Sequence, residues 1–306
     1  MSAHKRKGSR KKARPYKVPI LLLIAFFLLS GAIASILVIV PQGAGKFTLG
    51  KMNFEAFKDR SVPPPRAPII KQSKTPHSSY SLPLVAIIID DMGYHGKIDN
   101  LFLHLSAPLS FSFLPYGPFT RKYAEVAHKL GRDVLIHIPM EPIEKDVNPG
   151  PGALRTDMDP AEIIRIIGEE ISLVPYAKGA NNHMGSQFTT SKKMMDIVLL
   201  ELKKRALFFI DSRTTKDSIA CSEAIRLGVP ALERQVFLDY QPKEHIVRQE
   251  LRRLINLAKQ HGFSIAIGHP FKETYNVLKK DLPLVQKEVK IVPVSYLIAL
   301  FKGDQR

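Results

Sequence analysis

Asp90 and Asp91 stand side by side at the end of an uninterrupted apolar run, Val85-Ala-Ile-Ile-Ile89, and Met92 and Gly93 follow them. Adjacent carboxylates raise one another's pKa unless a cation or a set of donors holds them, so the pair suits a metal ligand with a general base beside it. An Asx turn closing a strand ahead of a helix N-cap suits the same residues. Residues of the same chemical kind recur downstream. His137 closes Asp133-Val-Leu-Ile and leads into Ile-Pro-Met-Glu141; Asn181-Asn182-His183-Met-Gly185 follows a short run from Ala177; Asp211-Ser-Arg213 follows Leu207-Phe-Phe-Ile210. Asp239 follows Val236-Phe-Leu238, and His269 follows Ser264-Ile-Ala-Ile-Gly268 and precedes Pro270. Each has an ordinary structural explanation: a core histidine at His137, a turn at Asn181, a helix cap at Asp211 or His269. Their shared position, just beyond apolar runs, has none. Asp and His are also the ligands that zinc or another divalent first-row ion takes, with water in an open position.

The elements that must position these residues alternate. Strands are expected at Leu84–Ile89, Leu109–Leu114, Asp133–Ile138, Ala177–Asn181, Ala206–Ile210, Gln235–Leu238, Phe263–Ile267 and Val289–Val292, with helices near 96–105, 119–130, 160–173, 191–204, 216–227, 242–261 and 271–280. Asp159-Pro160-Ala-Glu162 marks one helix start, with an N-cap, a proline at the first helical position and an acid in the first turn. Alternation of this kind gives parallel strands with crossover helices. Seven or eight such units in the domain from 83 to 306 fit an α/β fold of the (β/α) barrel type, complete or distorted, better than a doubly wound sheet, which spacing alone leaves open. In a barrel, all the polar residues named above project at the catalytic face.

The charge of the chain is uneven. Nearly half of its net +17 at pH 7 lies in a basic tail, 1–17, which has eight Lys or Arg and no acid. Ile20–Val40 then has no charged residue, and 21 residues at 1.5 Å rise make a helix of about 31 Å, the thickness of a bilayer's hydrocarbon core. The expectation is an uncleaved transmembrane anchor at 18–40, with the tail in the cytoplasm and the rest of the chain outside the inner membrane. Its competitor is a cleaved signal peptide, for which Ala32-Ile-Ala34 offers a site but whose apolar region is normally about 7–15 residues. The tail would bind nucleic acid in isolation; next to an anchor, topology and anionic lipid explain it more simply, so no nucleic-acid partner is expected. The stretch 41–82, rich in Pro, Ser, Lys and Gly, reads as a semi-rigid linker. Cys221 is the single cysteine of the chain, which excludes an internal disulfide, and its helical surroundings suit a structural thiol rather than a nucleophile.

From about Leu84 to Leu300 the chain resembles the divergent branch of the polysaccharide deacetylases. Five segments carry the resemblance in order: Ile-Asp90-Asp91-Met-Gly93, His137-Ile-Pro-Met-Glu141-Pro, Asn182-His183-Met-Gly185-Ser, Phe-Ile-Asp211-Ser-Arg213-Thr and Ile-Gly268-His269-Pro270. The resemblance implies that Asp90 acts as base, Asp91 binds a divalent metal, and His269 acts as general acid. It also implies two histidine ligands spaced His-x-x-x-His, where this chain has His137-x-x-x-Glu141. His137 carries over; His183 is favoured as the third ligand, with Glu141 in reserve. Asn182, Asp211 and Arg213 are candidates for substrate contact or support of the ligands. Arg213 would hold a catalytic carboxylate ionised or bind an anionic group, with a surface ion pair as its plainer role.

Two functions follow. One is a metal-dependent deacetylase, most readily with Zn2+, acting on an N-acetylated amino-sugar polymer of the cell envelope such as peptidoglycan or an exported glycan. The other is a deacetylase-like protein that has lost turnover and binds a glycan or an envelope partner, a reading to which the missing second histidine of the motif lends weight.

Overall fold

The structure, a computed structural model, describes residues 82–302. The expected basic tail, the anchor and nearly all of the linker lie outside the described residues. Among those described, no helix is long and apolar enough to cross a membrane.

The chain alternates strand and helix, as the apolar runs require. In order these are β1 (Leu84–Met92), α1 (Lys97–Leu103), β2 (Ser110–Phe113), α2 (Thr120–Lys129), β3 (Asp133–Met140), α3 (Pro160–Leu173), β4 (Gly179–Met184), α4 (Lys192–Lys204) and β5 (Phe208–Asp211). There follow α5 (Ala220–Arg226), β6 (Ala231–Glu233), β7 (Val236–Phe237), α6 (Glu244–His261), β8 (Phe263–Gly268), α7 (Lys272–Val285), β9 (Lys290–Ile291) and α8 (Val294–Phe301). Asp159 caps α3 as its sequence predicts, its carboxylate accepting from Ala161 N at 2.8 Å.

All strand pairings are parallel, in the order β6-β5-β4-β3-β2-β1-β8-β7, with β9 also on β1. The sheet curls into a distorted barrel whose two ends are held by one short stretch of chain. β6 pairs with β5 and β7 with β8; between them Arg234 N donates to Asp211 O of β5 and Gln235 N to Ile265 O of β8. A regular barrel would need two strands paired with each other here. The expectation of a single strand at Gln235–Leu238 misses β6, which is too short to show a period.

Period-two alternation divides the strands into two faces. Val85, Ile87 and Ile89 point outward into a core shared with the helices, including Ile163, Val198, Leu254 and Leu278. Ala86, Ile88, Leu135, Ile210, Leu232, Ile265 and Ile267 point inward, and Val294, Leu297 and Ile298 of α8 close this interior from below. Asp133, the first residue of β3, anchors that floor: its carboxylate accepts from Ser295 N at 2.8 Å and Ser295 Oγ at 2.9 Å, a favourable charge at a helix N-terminus. Leu297→Ala should therefore cost about 2–5 kcal/mol, the range for a leucine removed from a packed core. Urea denaturation checks it, and a loss under about 1 kcal/mol would mean that α8 is no integral part of the interior.

Candidate active site

The inward positions change from apolar to polar at the carboxyl ends of the strands. Continuing the alternation from the interior brings up Asp90 on β1, Ser112 on β2, His137 on β3, Asn181 and His183 on β4, Ser212 after β5, Arg234 at the crossing and His269 after β8. By alternation Asp91 should point away from Asp90. Instead β1 has an irregularity in its register with β2 between Ile89 and Met92, and Asp91 adopts φ 54°. A bulge of this kind re-aims a side chain, and Asp tolerates the left-handed region better than most residues. Met184 and Arg213, at the ends of β4 and β5, also have positive φ, so strained backbone gathers around this face.

Asp91, His137 and His183 are all buried, and their ligand atoms lie within 4.8 Å of one another. Asp91 Oδ1 is 2.9 Å from His183 Nδ1 and 3.2 Å from His137 Nε2, and the two imidazole nitrogens are 3.2 Å apart. The separations are short, and beyond these two imidazoles neither buried Asp91 oxygen has a hydrogen-bond donor. A buried carboxylate with so few donors is costly unless a cation meets it. One anionic oxygen and two imidazole nitrogens converging on one point form a donor set that fits a divalent ion. Burial favours the protonated form of Asp91, but His183, His137 and His269 together hold it well below the usual carboxylate range.

Asp90 is placed differently. Its two oxygens each accept from Asn181 Nδ2 at 2.9 Å, and His137 Nε2 stands 3.6 Å from Oδ2. Burial pushes its carboxyl up, and the charges of His137 and His269 and the Asn181 donor offset only part of that rise. On the other side, His269 Nδ1 lies 2.9 Å from Asp239 Oδ1, and Nε2 lies 4.0 Å from Asp91 Oδ2. Asp239 Oδ2 also accepts from His269 N at 2.7 Å and from Thr274 Oγ1 at 2.7 Å. Burial opposes the imidazolium, but Asp239 first, then Asp91 and Asp90, raise His269 to about 9. α7 begins at Lys272 with Phe271 as its N-cap, so His269 is not a helix cap.

The remaining sequence candidates sit around this cluster rather than in it. Glu141 Oε2 accepts from Thr156 N at 2.6 Å and Oγ1 at 2.7 Å, tying down the long connection after β3. Asn182 accepts from Ser212 N at 2.9 Å and donates to Met184 O at 2.7 Å, clamping β4 to β5. Asp211 accepts from Arg213 N at 2.8 Å and Ser218 Oγ at 2.7 Å, and Arg213 donates to Ser218 O and Lys216 O, with Glu233 3.7 Å away. These residues shape the loop after β5. Cys221 is half-buried, and burial with Asp211 and Glu233 nearby raises its thiol far above the range of a nucleophile.

The cationic partner that Arg213 was expected to provide is a residue the motif reading missed. Arg234 donates from Nε to Ser212 O at 2.6 Å and from Nη2 to Arg213 O at 2.7 Å, and stacks over Phe237 at 5.1 Å. Burial lowers it to about 10 against the pull of Asp211 and Asp90, so it is a cation within the field of those two carboxylates. Ser112 was missed as well, and Asn181 and Ser212, named within their segments, were given no role in the site. Strand alternation is the signal that finds them, because all share the inward face with Asp90, His137 or Ile210.

A family model described as divergent polysaccharide deacetylase matches residues 87–298. Over 214 residues the chain is 38% identical to the uncharacterized protein YibQ of Escherichia coli K12, covering 70% of this chain and 67% of that one. An uncharacterized protein of Haemophilus influenzae is 35% identical over 219 residues, covering 72% of this chain and 78% of that one. Among solved structures, an uncharacterized protein of Agrobacterium tumefaciens C58 superposes with a TM-score of 0.68 at 23% identity, covering 74% of this chain and 94% of that one. That likeness concerns the fold.

Proposed function

The chain belongs to the divergent polysaccharide deacetylase family, and from that premise we propose that it is a metal-dependent N-deacetylase of an N-acetylated amino-sugar polymer. One observation carries the reading: the buried carboxylate of Asp91, which has no donor beyond two imidazoles, converges with His137 and His183, while Asp90 and His269 stand within 4.0 Å of that set. His183 supplies the imidazole that the His137-x-x-x-Glu141 departure lacks.

Asp91, His137 and His183 would hold a divalent ion, which would supply Lewis acidity toward an amide carbonyl and lower the pKa of water toward about 7. The protein's own groups then move the protons. Asp90 accepts one from the attacking water, its oxygens kept in place by Asn181. His269 Nε2 delivers one to the leaving amide nitrogen, while Asp239 keeps Nδ1 protonated and the ring oriented. Water's oxygen ends on the carbonyl carbon, the C–N bond breaks, and the products are acetate and a free amine. Arg234 offsets part of the charge of Asp90.

With residues 20–40 as an anchor, the domain stands outside the inner membrane, where peptidoglycan or an exported glycan is the accessible polymer. The test is elemental analysis of the purified full chain in mild detergent, followed by acetate release from peptidoglycan and chitin oligomers. The expected result is one equivalent of metal, most readily zinc, and metal-dependent acetate release. Metal bound without acetate from any polymer would favour the glycan-binding reading.

A further inference from the structure

We infer that the side-chain amide of Asn181 is a positioning group that couples the base to the metal site, setting the tautomer of His137 with one end and the orientation of Asp90 with the other. The inference rests on the deacetylase reading and extends it to a residue on β4 that belongs to no ligand set.

The two ends of an amide have opposite chemistry: the oxygen only accepts and the nitrogen only donates. Asn181 Oδ1 lies 2.8 Å from His137 Nδ1, so that ring nitrogen must carry the proton. His137 Nε2 is then left with its lone pair, directed toward Asp91 and His183, as a metal ligand requires. Asn181 Nδ2 lies 2.9 Å from both oxygens of Asp90 and favours the ionised carboxylate, the state a base needs. A flipped amide would set oxygen against carboxylate and force the other tautomer on His137. The Asp90 carboxylate, which only accepts, opposes the flip; two serines complete the amide's hydrogen bonds, Ser112 Oγ donating to Oδ1 at 2.5 Å and Ser212 Oγ accepting from Nδ2 at 3.2 Å. Asn181 is fully buried, so water does not substitute for any of these partners. The serines come from β2 and from the end of β5, so the amide is held from the strands on both sides of the site, while Asp90 on β1 sets its sense.

The two halves of the amide separate by substitution. Asn181→Asp keeps an oxygen for His137 Nδ1–H but removes the donor to Asp90; Asn181→Ala removes both. In zinc titrations of the full-length protein, Asn181→Asp should keep affinity within about threefold of the parent while kcat falls on the order of 100-fold, the scale of one general base. Asn181→Ala should lose zinc affinity by about 10–100-fold, as removal of a ligand's hydrogen-bond partner does, and kcat as well. Long-range 1H–15N spectra of the zinc-loaded parent should show His137 protonated at Nδ1. A His137 protonated at Nε2 in that protein overturns the inference whether or not either variant folds. So do two folded variants that lose zinc and turnover in parallel, or an Asn181→Ala protein with parental affinity. Those results leave the deacetylase reading standing, whereas a parent that takes up no zinc and releases no acetate removes both.

Discussion

Asp91→Ala and His183→Ala proteins should emerge from purification without their metal, while Glu141→Ala should retain a full equivalent. The geometry separates them: Asp91 and His183 offer atoms to one point, whereas the Glu141 carboxylate is occupied by Thr156. Loss of a ligand should exceed the roughly 10–100-fold in affinity that follows loss of a supporting partner. Stability gives a second readout, because an ion present at 100 times its Kd stabilises the folded state by about 2.7 kcal/mol. For a domain of this size that is roughly 5–11 °C in Tm. Added zinc should raise the Tm of the parent and of Glu141→Ala but not of the two ligand variants. A full equivalent of metal in Asp91→Ala, or its loss only in Glu141→Ala, would refute the ligand assignment.

The other large effect concerns proton transfer. Asp90→Asn and His269→Ala should each lower kcat by about 10²–10⁴-fold at unchanged metal content, the usual worth of a general base or acid. The pH profile follows from what each group must hold. A base must be ionised, so activity falls as pH drops through the pKa of Asp90, which burial places above the ordinary carboxylate value. An acid must be protonated, so activity falls as pH rises through that of His269, raised to about 9 chiefly by Asp239 against the cost of burial. A bound cation takes over part of the negative charge that raises it, so the alkaline limb belongs at or below that value. Each substitution should abolish its own limb. Two variants as active as the parent at equal metal loading would make both residues structural and support the binding-protein reading.

The site was legible where chemistry follows an apolar run without transition. Asp90 and Asp91, His137 and His269 announce themselves that way, because the same kind of residue recurs at the ends of several buried runs; His183 stands behind Asn181-Asn182 and is found by its place beside Gly185 in the motif. What the residues do was harder to read. Nothing in Asp90-Asp91 reveals a bulge, and without one the two carboxylates lie on opposite faces of the strand. Asn181 looks like a turn residue until β3 and β4 are paired and His137 is found opposite it. Arg234 sits between Glu233 and Gln235, a polar triplet that reads as surface and proves to be the place where the chain crosses from one sheet end to the other. Arg213, which the motif favoured, turns back onto its own loop. The barrel itself followed from alternation, but its closure did not, since strands of three and two residues leave no period to detect.

The irregularity in β1 also has a mechanical meaning. In the proposed reading, base and metal ligand are neighbours on one chain, joined by a single peptide unit whose length and planarity do not vary. When the barrel breathes, β3, β4 and β8 can shift against β1 and carry their imidazoles with them, but the spacing between the Asp90 and Asp91 backbones stays that of covalent geometry. In that reading, the least adjustable spacing would thus be that of the two backbone positions carrying the proton-taking and the ion-holding carboxylates. Adaptation to a bulkier or differently linked sugar is therefore expected in the loops after the other strands, with the pair on β1 serving as the fixed datum from which they are measured.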